Sequence, residues 1–504
     1  MVMHRYWLHL STVVLSLALP SWASFENTAV VRSIDLGGSL VYTTTTYNVK
    51  ALEDGSNVYV FALTEREQET TNWMEARVKG HSVPLSLENH GLSHEYVLDL
   101  TLLLWYIVAE VITYSTTYYY SVALPKALDT NQTANLVLET VQTHATYPFP
   151  PEAAQDDRQA LKYDTDLFVL SPYKTLVQRT KFKTVGFPIL SYTEPKGVAF
   201  TTGSIATKSN TGSAVTYGPF HDLPPSSNPA FLEENQQKIS IHYEFGFPML
   251  SVKTLRRVAE ISHWGANLNI QDEIHLYNAG PKLKGQFSRL EHQAQAYQRR
   301  PAPHVLTELA LQLPAGIHSA YYYDTIGNVS TSHLRVVPSA SQGGLPGRNS
   351  ILELRPRYPL LGGWNYSFTL GWDSPLEDYA GWDAEKGRYV ASVPIMTLFG
   401  GSVVEDAEVK VILPEASIDV EVSAPFSPSS FSSSTHTTYL DTTGRPAVVF
   451  KYKNLTDKHT GVIYIAYKVP LSAHLKKPTA VGIALFGAFF VAFLWKRVDL
   501  RLEK

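Results

Sequence analysis

Strict alternation of apolar and polar side chains marks several segments of this chain. Between residues 239 and 245, apolar side chains occupy every second position and polar side chains fill the positions between them. Successive side chains of a β-strand point to opposite faces, so this spacing predicts half-buried strands. Similar strand patterns recur at 58–61, 136–138, 408–412, 418–422 and 461–467.

One segment shows the spacing of a helix instead. In Phe287–Gln298 the apolar residues Phe287, Leu290, Ala294 and Tyr297 follow one another every three or four positions, which predicts a short amphipathic helix. Elsewhere, strands bounded by turn residues favour antiparallel β-sandwiches over alternating βαβ units. The 29 Tyr, 21 Phe and 9 Trp residues strengthen this expectation because aromatic side chains favour strands.

The segment at 478–495 carries no charge. As an α-helix it would measure about 27 Å, against a hydrocarbon core of about 30 Å, so we predict one transmembrane helix. Within it, Ala480, Ala484, Ala488 and Ala492 recur at every fourth position. Such a small-residue stripe suits close packing against a second membrane helix, although alanine is also common in membrane helices without that role.

The N-terminus has the pattern of a cleaved signal peptide. His4 and Arg5 precede a mostly apolar stretch, and small residues follow, so we predict a signal peptide over residues 1–23 with cleavage after Ala23. A signal anchor or a buried strand is the alternative. Basic residues flank the membrane helix on both sides, so charge does not orient it. The signal peptide then predicts a single-pass type I topology with a cytosolic tail at 496–504.

Turn-forming residues divide the predicted ectodomain. The polar stretch Thr201–Pro229 contains three glycines and the pair Pro224-Pro225, which indicates a connection between domains. We therefore place two lumenal β-domains at 24–228 and 229–470. The serine-rich segment Ala424–Arg445 predicts a flexible loop. The expected fold is mainly β, with two tandem antiparallel β-sandwich-like domains followed by one transmembrane α-helix.

A faint internal repeat relates positions whose residue numbers differ by 227. Two related domains would explain it, and chance similarity between two strands around a glycine turn is the alternative. The matching positions are Ile34, Gly38, Val41, Tyr47 and Val49, which correspond to Ile261, Gly265, Leu268, Ile274 and Leu276.

Charge and cysteine content exclude several classes of function. With 42 Lys+Arg against 46 Asp+Glu, the formal charge is -4, so the basic field that nucleic acid requires is missing. The absence of cysteine excludes disulfides, thiolate metal sites and cysteine nucleophiles. The apolar stretch Leu100–Tyr120 fits a buried strand pair or an insertion, and we assign no function to it.

Candidate chemistry is sparse. The sequence contains no His-Glu-x-x-His, Gly-x-Ser-x-Gly or phosphate-loop motif. His90 and His94 have the spacing of a metal pair on a helix, but Gly91 disfavours that helix. Asp164 and Asp166 have the spacing of a nucleotide-sugar metal site, and two solvated aspartates before a strand explain them as well. We predict no catalytic residue, no metal and no cofactor.

Four Asn-x-Ser/Thr sequons are candidate glycan acceptors on the predicted lumenal side. Sequons are common by chance, so we expect only some of them to carry sugar. They begin at Asn131, Asn328, Asn365 and Asn454.

Three segments carry a resemblance to a known family. Glu260–Gly265, Tyr321–Ser332 and Arg357–Trp364 together resemble ribophorin I, the family that provides the alpha subunit of the eukaryotic oligosaccharyltransferase. The resemblance extends over most of Phe25–Trp495. Animal members carry a long cytosolic extension after the membrane helix, whereas this sequence stops at Lys504, as fungal members do.

The resemblance implies a non-catalytic subunit in the endoplasmic reticulum membrane. The complex transfers a dolichol-linked oligosaccharide to asparagine in nascent proteins, and catalysis belongs to a separate subunit with many spans and a Trp-Trp-Asp motif. Here only Gly371-Trp372-Asp373 and Gly381-Trp382-Asp383 occur, so no catalytic residue is carried over. The implied partners are the catalytic and small membrane subunits of the complex, with nascent polypeptide as a further candidate and no nucleic acid.

Seven residues of the matching segments are expected to matter structurally or at subunit contacts, and plain packing is the alternative. They are His263, Trp264, Arg357, Tyr358, Gly362, Gly363 and Trp364. Two other functions stay open. The chain could be a lumenal metal-dependent glycosyltransferase that uses Asp164 and Asp166, or a lumenal chaperone or cargo receptor.

Overall fold

The computed structural model describes residues 24–497 except 82, 93–116, 202, 298–303, 346, 398, 439–440 and 442. The predicted signal peptide, His94, most of Leu100–Tyr120 and the end of the predicted tail lie outside the described residues. The described part is mainly β, as predicted, and ends in a long helix.

The first half of the described chain forms fifteen strands, in which buried and exposed positions alternate much as the sequence predicts. These strands are β1 (Phe25–Leu36), β2 (Leu40–Ala51), β3 (Ser56–Thr64), β4 (Thr71–Val78), β5 (Leu87–Leu92), β6 (Thr117–Leu128), β7 (Thr133–Thr143), β8 (Thr146–Pro148), β9 (Glu152–Ala153), β10 (Ala160–Asp166), β11 (Thr175–Thr184), β12 (Ile189–Tyr192), β13 (Ala206–Lys208), β14 (Ala214–Leu223) and β15 (Lys238–Glu244).

Fourteen of these strands build three sheets. The largest has the order β13-β14-β11-β1-β2-β7-β4, and the smaller sheets have the orders β12-β15-β10-β8 and β3-β6-β5. Strand β1 pairs antiparallel with β2 and parallel with β11. Apolar side chains of the large sheet pack against each small sheet in two clusters, one around Phe182 and one around Tyr59.

The second half also forms fifteen strands among the described residues. They are β16 (Leu250–Ser262), β17 (Asn267–Asn278), β18 (Lys282–Leu283), β19 (Leu309–Leu313), β20 (His318–Asp324), β21 (Ser332–Arg335), β22 (Ser350–Leu354), β23 (Asn365–Pro375), β24 (Ala380–Asp383), β25 (Arg388–Pro394), β26 (Val403–Ile412), β27 (Ile418–Ser423), β28 (Ser430–His436), β29 (Arg445–Leu455) and β30 (Val462–Lys468).

The second half repeats the topology of the first, strand for strand. Its sheets have the orders β20-β23-β17-β16-β26-β29-β28, β24-β25-β30-β27 and β19-β22-β21, and β16 pairs antiparallel with β17 and parallel with β26. The two remaining strands, β9 and β18, pair with each other across the halves. The structure therefore consists of two repeats, β1–β15 and β16–β30.

The hydrogen-bond register repeats as well. A β-bulge occurs between Asn27 and Ala29 in β1 and between Val252 and Thr254 in β16. A buried arginine follows each bulge: Arg32 lies opposite Thr45, and Arg257 lies opposite Asp272.

These register positions refine the repeat found in the sequence. On the second strand of each hairpin, Thr45 and Asp272 are equivalent and their numbers differ by 227, which confirms the predicted offset there. On the first strand, the equivalent Arg32 and Arg257 have numbers that differ by 225, so the predicted match of Ile34 with Ile261 is wrong and Ile34 corresponds to Ala259. The hairpin of β16 and β17 therefore extends one residue pair further than the hairpin of β1 and β2, and the turn at its end contains His263 and Trp264.

The division between the repeats lies after β15. The sequence placed Lys238–Glu244 in the second domain, but this strand pairs with β10 and β12 of the first repeat. Its side chains Ile239, Ile241 and Tyr243 are fully buried in the first repeat's core. We therefore propose 245–249 as the boundary in place of 228.

Two segments whose composition is typical of loops contain strands. The stretch Thr201–Pro229 contains β13 and β14, and Val215, Tyr217 and Phe220 of β14 are fully buried. The flexible loop predicted at Ala424–Arg445 is wrong for Ser430–His436, which pairs along its length with β29. Backbone hydrogen bonds of an edge strand do not depend on apolar side chains, so composition alone missed this element.

The described chain contains four α-helices: α1 (Glu65–Thr70), α2 (Pro229–Asn235), α3 (Arg289–Tyr297) and α4 (Leu471–Arg497). Helix α3 confirms the predicted short helix, although its Leu290 and Tyr297 are exposed. Helix α4 contains the predicted span 478–495 and is long and apolar enough to cross a membrane.

Contacts between the repeats form a compact seam. Leu40 and Val141 of the first repeat pack with Val403 of the second. The Tyr42 hydroxyl donates to the Asp457 carboxylate at 2.9 Å, and the Trp73 ring lies 5.0 Å from the His459 ring, edge to face. The repeats are thus joined by apolar, polar and aromatic contacts.

Candidate functional site

The residues singled out from sequence fall at opposite ends of the second repeat. His263 and Trp264 lie beside the end where Asn267 of β17 faces Pro375 of β23. The segment Arg357–Trp364 lies at the other end, where Tyr277 faces Asn365. At about 3.3 Å per residue, the stretch of strand between these pairs separates the two ends by roughly 33 Å.

His263 joins the second repeat to helix α4. Its Nε2 lies 2.8 Å from the hydroxyl of Tyr467 in β30, and its ring centroid lies 4.5 Å from that of Tyr389 in β25. On α4, the His474 ring stacks on His263 with centroids 5.4 Å apart and an angle of 21°. The cluster thus connects the β16–β17 turn, one small sheet and the first turns of α4.

Burial and the neighbouring His474 lower the pKa of His263 to about 4. Desolvation is the larger cause, because burial penalises the charged imidazolium. His263 is therefore neutral at neutral pH, which suits a ring packed among two tyrosines and a second histidine.

An open groove of about 620 Å³ lies beside this cluster, at the start of α4. Trp264 and Trp382 lie on its walls and are 66% and 57% exposed, while Leu475 contributes from the helix. The Trp382 ring contacts Tyr389 edge to face at 4.8 Å. Aromatic side chains therefore line the groove, which is open to the outside of the protein.

At the opposite end, Arg357 holds a turn together. Its guanidinium pairs with the Asp324 carboxylate and donates to the carbonyl oxygens of Gly327 and Asn328, each at 3.0 Å. Burial opposes ionisation of Asp324, but Arg357 and the N–H groups of Ile326 and Gly327 outweigh it and hold its pKa below the usual value. The turn is a structural ion-pair site.

The following residues pack this turn against its neighbours. The Tyr358 hydroxyl donates to the carbonyl of Asn365 at 2.7 Å, and the Trp364 ring lies 5.6 Å from Phe287. A Cβ at Gly362 would overlap the carbonyl oxygen of Pro281. Gly363 has φ +82°, which glycine adopts most readily.

The two Gly-Trp-Asp segments have different roles. Trp372 is fully buried in the core of the second repeat, and the Asp373 carboxylate accepts from Asn267 at 2.8 Å and Asn269 at 2.9 Å. Trp382 instead lies exposed on the groove. The structure thus uses the first segment for packing and presents the second on the surface.

The acidic pair Asp164 and Asp166 lies on β10. Asp164 accepts hydrogen bonds from the Tyr147 hydroxyl at 2.8 Å and the Ser240 hydroxyl at 2.5 Å. Burial, followed by the charge of Glu67, raises the pKa of Asp166. Across the described part of the chain, no group of three or more His, Cys, Asp or Glu side chains is placed to hold a metal. His94 lies outside that part, so the structure does not test the spacing of His90 and His94, for which the sequence predicted no metal.

The four sequons differ in accessibility. Asn131, Asn328 and Asn365 are exposed. Asn454 is half-buried, and Thr456 of the same sequon is 1% exposed, with its hydroxyl 3.0 Å from Nδ1 of His459. On α4, the four alanines of the predicted stripe are exposed along one side.

Sequence reasoning missed the partners of His263 and a buried ion pair. Tyr467 and His263 lie far apart in the chain, and no spacing rule links them. Arg257 donates from Nε to Asp272 at 2.7 Å and from Nη1 to the carbonyl of Pro394 at 2.9 Å. The one available signal was a charged residue at a position where the alternation of each strand calls for an apolar side chain: Arg257 stands between Leu255 and Ala259, and Asp272 between Ile270 and Ile274.

Comparison with known proteins agrees with the resemblance seen in the sequence. A family model described as Ribophorin I matches residues 25–496. Dolichyl-diphosphooligosaccharide–protein glycosyltransferase subunit 1B of Oryza sativa subsp. japonica is 32% identical over 388 residues, which cover 76% of this chain and 75% of that protein. Subunit 1B of Arabidopsis thaliana is 32% identical, covering 77% and 76%.

Subunit 1 of Caenorhabditis elegans is 28% identical over 478 residues, covering 94% of this chain and 72% of that protein. The family match spans both β-repeats and nearly all of helix α4. This chain belongs to the ribophorin I family.

Proposed function

We propose that this chain is a non-catalytic subunit of an oligosaccharyltransferase in the endoplasmic reticulum membrane, where it stabilises the complex around a separate catalytic subunit. The family match over residues 25–496 is the observation that carries this proposal. The packing supports it, because His263, Arg357 and Asp164 are engaged in structural contacts. We further propose that the chain presents acceptor polypeptide to that subunit.

Co-purification tests the assembly directly. The full chain, purified from its own membranes in mild detergent, is expected to recover a glycosyltransferase with many membrane spans in stoichiometric amount. Loss of the chain is expected to leave secretory glycoproteins underglycosylated. Recovery of the chain alone, together with normal glycan occupancy after its loss, would contradict the proposal.

The alanine stripe of α4 is the proposed contact with a membrane-embedded partner. Ala484 and Ala488 lie on the face opposite Phe486 and Phe490, given about 100° of rotation per residue. Ala484→Leu combined with Ala488→Leu adds bulk where close backbone approach is expected, and should reduce recovery of the partner. Phe490→Trp adds bulk on the other face and should leave recovery unchanged.

The proposed topology places both β-repeats in the lumen. Asn131, Asn328 and Asn365 are accessible acceptors in the folded chain, whereas the sequon at Asn454 is largely buried. We expect enzymatic removal of N-glycans to shift the mobility of the wild-type chain. Asn131→Gln should remove one step of that shift, and a chain with no glycan at all would contradict the lumenal placement.

A further inference from the structure

The aromatic groove has a fixed position relative to the predicted membrane span. Leu475 and His474 of α4 line it, together with Trp264 and Trp382 from two turns of the second repeat. The uncharged segment of α4 begins at 478, less than one helical turn after Leu475. At about 1.5 Å per residue, the groove starts about 5 Å before the hydrocarbon boundary.

That level corresponds to the lipid headgroups. The hydrocarbon core is about 30 Å thick and the whole bilayer about 40–45 Å, so each headgroup layer is roughly 5–8 Å deep. Tryptophan and tyrosine concentrate in this layer because their rings are apolar and their N–H or O–H groups remain hydrated. The groove thus presents suitable side chains at a suitable depth.

We propose that this groove rests on the phospholipid headgroups of the leaflet next to the β-repeats, with Trp264 and Trp382 inserted among them. The second repeat then contacts the membrane at two places, through α4 and through the two tryptophans. This inference rests on membrane insertion of α4 and does not depend on the oligosaccharyltransferase assignment.

A series of ring contacts connects Trp382 to α4. Trp382 packs on Tyr389, Tyr389 packs on His263, and His263 stacks on His474 of the helix. These ring contacts join Trp382 to the helix, and Trp264 follows His263 directly in the chain, so insertion of α4 brings both tryptophans to the same membrane surface. Leu475 is 53% exposed and continues the apolar surface of α4 into the groove. This continuity favours lipid as the occupant.

The absence of cysteine from the sequence allows a direct measurement of depth. Trp264→Cys and Trp382→Cys would each carry one nitroxide label in the full chain, reconstituted in phosphatidylcholine nanodiscs. Ile326→Cys is the control, because Ile326 is 79% exposed and lies at the opposite end of the second repeat. Collision rates with lipid-soluble oxygen and with a water-soluble nickel complex would report the depth of each label.

We expect labels at 264 and 382 to collide several-fold less with nickel and more with oxygen than the label at 326. Equal accessibility at all three positions would overturn the proposal. Protection of 264 and 382 only when other subunits are present would also overturn it, because the occupant would then be a protein.

The native tryptophans provide a second measurement that does not require a label. In nanodiscs of brominated phosphatidylcholine, the wild-type chain should lose more tryptophan fluorescence than a chain with Trp264→Phe and Trp382→Phe. Trp495, at the other end of the predicted span, is quenched in both chains and confirms insertion. Equal fractional quenching in the two chains would count against contact with lipid.

Discussion

The individual residues considered above mainly stabilise the fold of the two repeats. Arg257 and Asp272 form a buried ion pair in β16 and β17, and Thr397 donates to the same carboxylate at 2.8 Å. A charge pair this deep is tolerated because each polar atom has a partner, and the removal of one partner leaves the other charge buried alone. Such residues control stability without any part in chemistry.

Removal of the Arg257 guanidinium should therefore be costly. Arg257→Met is expected to destabilise the chain by about 3–5 kcal/mol, since Asp272 would remain buried without its partner. Arg355→Met is the matched control, because Arg355 and Glu308 form an exposed pair whose loss costs about 0–1 kcal/mol. Urea unfolding of the detergent-solubilised chain measures both, and equal effects would refute the distinction.

The space around position 362 admits only glycine without a backbone shift. Gly362→Ala should cost about 1–3 kcal/mol or more, because the new methyl group would overlap the carbonyl oxygen of Pro281 and force the backbone apart. Gly400→Ala places the same methyl group in open space and should leave the midpoint of thermal unfolding nearly unchanged. A neutral Gly362→Ala variant would show that the turn can relax freely.

At the scale of secondary-structure elements, the hydrogen-bonded neighbours of a strand determine which repeat it belongs to. Strand β15 follows a proline-rich and glycine-rich stretch and looks like the start of a new domain in the sequence. In the structure it fills the first repeat's core between β10 and β12, as its counterpart β30 lies between β25 and β27 in the second. The last strand of each repeat therefore lies in the interior of that repeat's four-stranded sheet.

Truncation tests this boundary. A fragment of residues 24–249 should fold with one cooperative transition, since it contains all strands of the first repeat. A fragment of residues 24–228 should not, because it lacks Ile239, Ile241 and Tyr243, each fully buried in the core. Circular dichroism and thermal melts distinguish the two. Equal folding of both fragments would mean that β15 is dispensable.

At the scale of the whole molecule, the seam between repeats contains a titratable group. Burial lowers the pKa of His459 to about 4, against the opposing charge of Asp457. His459 packs on Trp73 of the first repeat and on Phe426. A neutral imidazole is therefore part of the contact between the two halves.

Acid should weaken this seam. The folded pKa of His459 lies below the ordinary 6.5, so the unfolded chain takes up the proton first and stability falls as the pH drops from about 6.5 to 4. His459→Gln should reduce this loss, and His333→Gln, at an exposed histidine, should not. Thermal melts across this pH range measure the effect. Identical pH profiles for the three chains would argue against it.

The sequence by itself determined the mainly β character, a helix apolar enough to cross a membrane and a trace of the internal repeat, because alternation, hydropathy and glycine turns are local patterns. These patterns place Ile239, Ile241 and Tyr243 on a strand. They do not say which strands lie beside it.

Tertiary structure alone decided the pairing. It assigned β15 to the first repeat, made a strand of the serine-rich segment, joined Arg257 to Asp272 and brought His263, Tyr467 and His474 together at the start of α4. The physical reason is that sheet pairing and burial depend on residues far apart in the chain. The local sequence of one strand does not specify which other strand it pairs with.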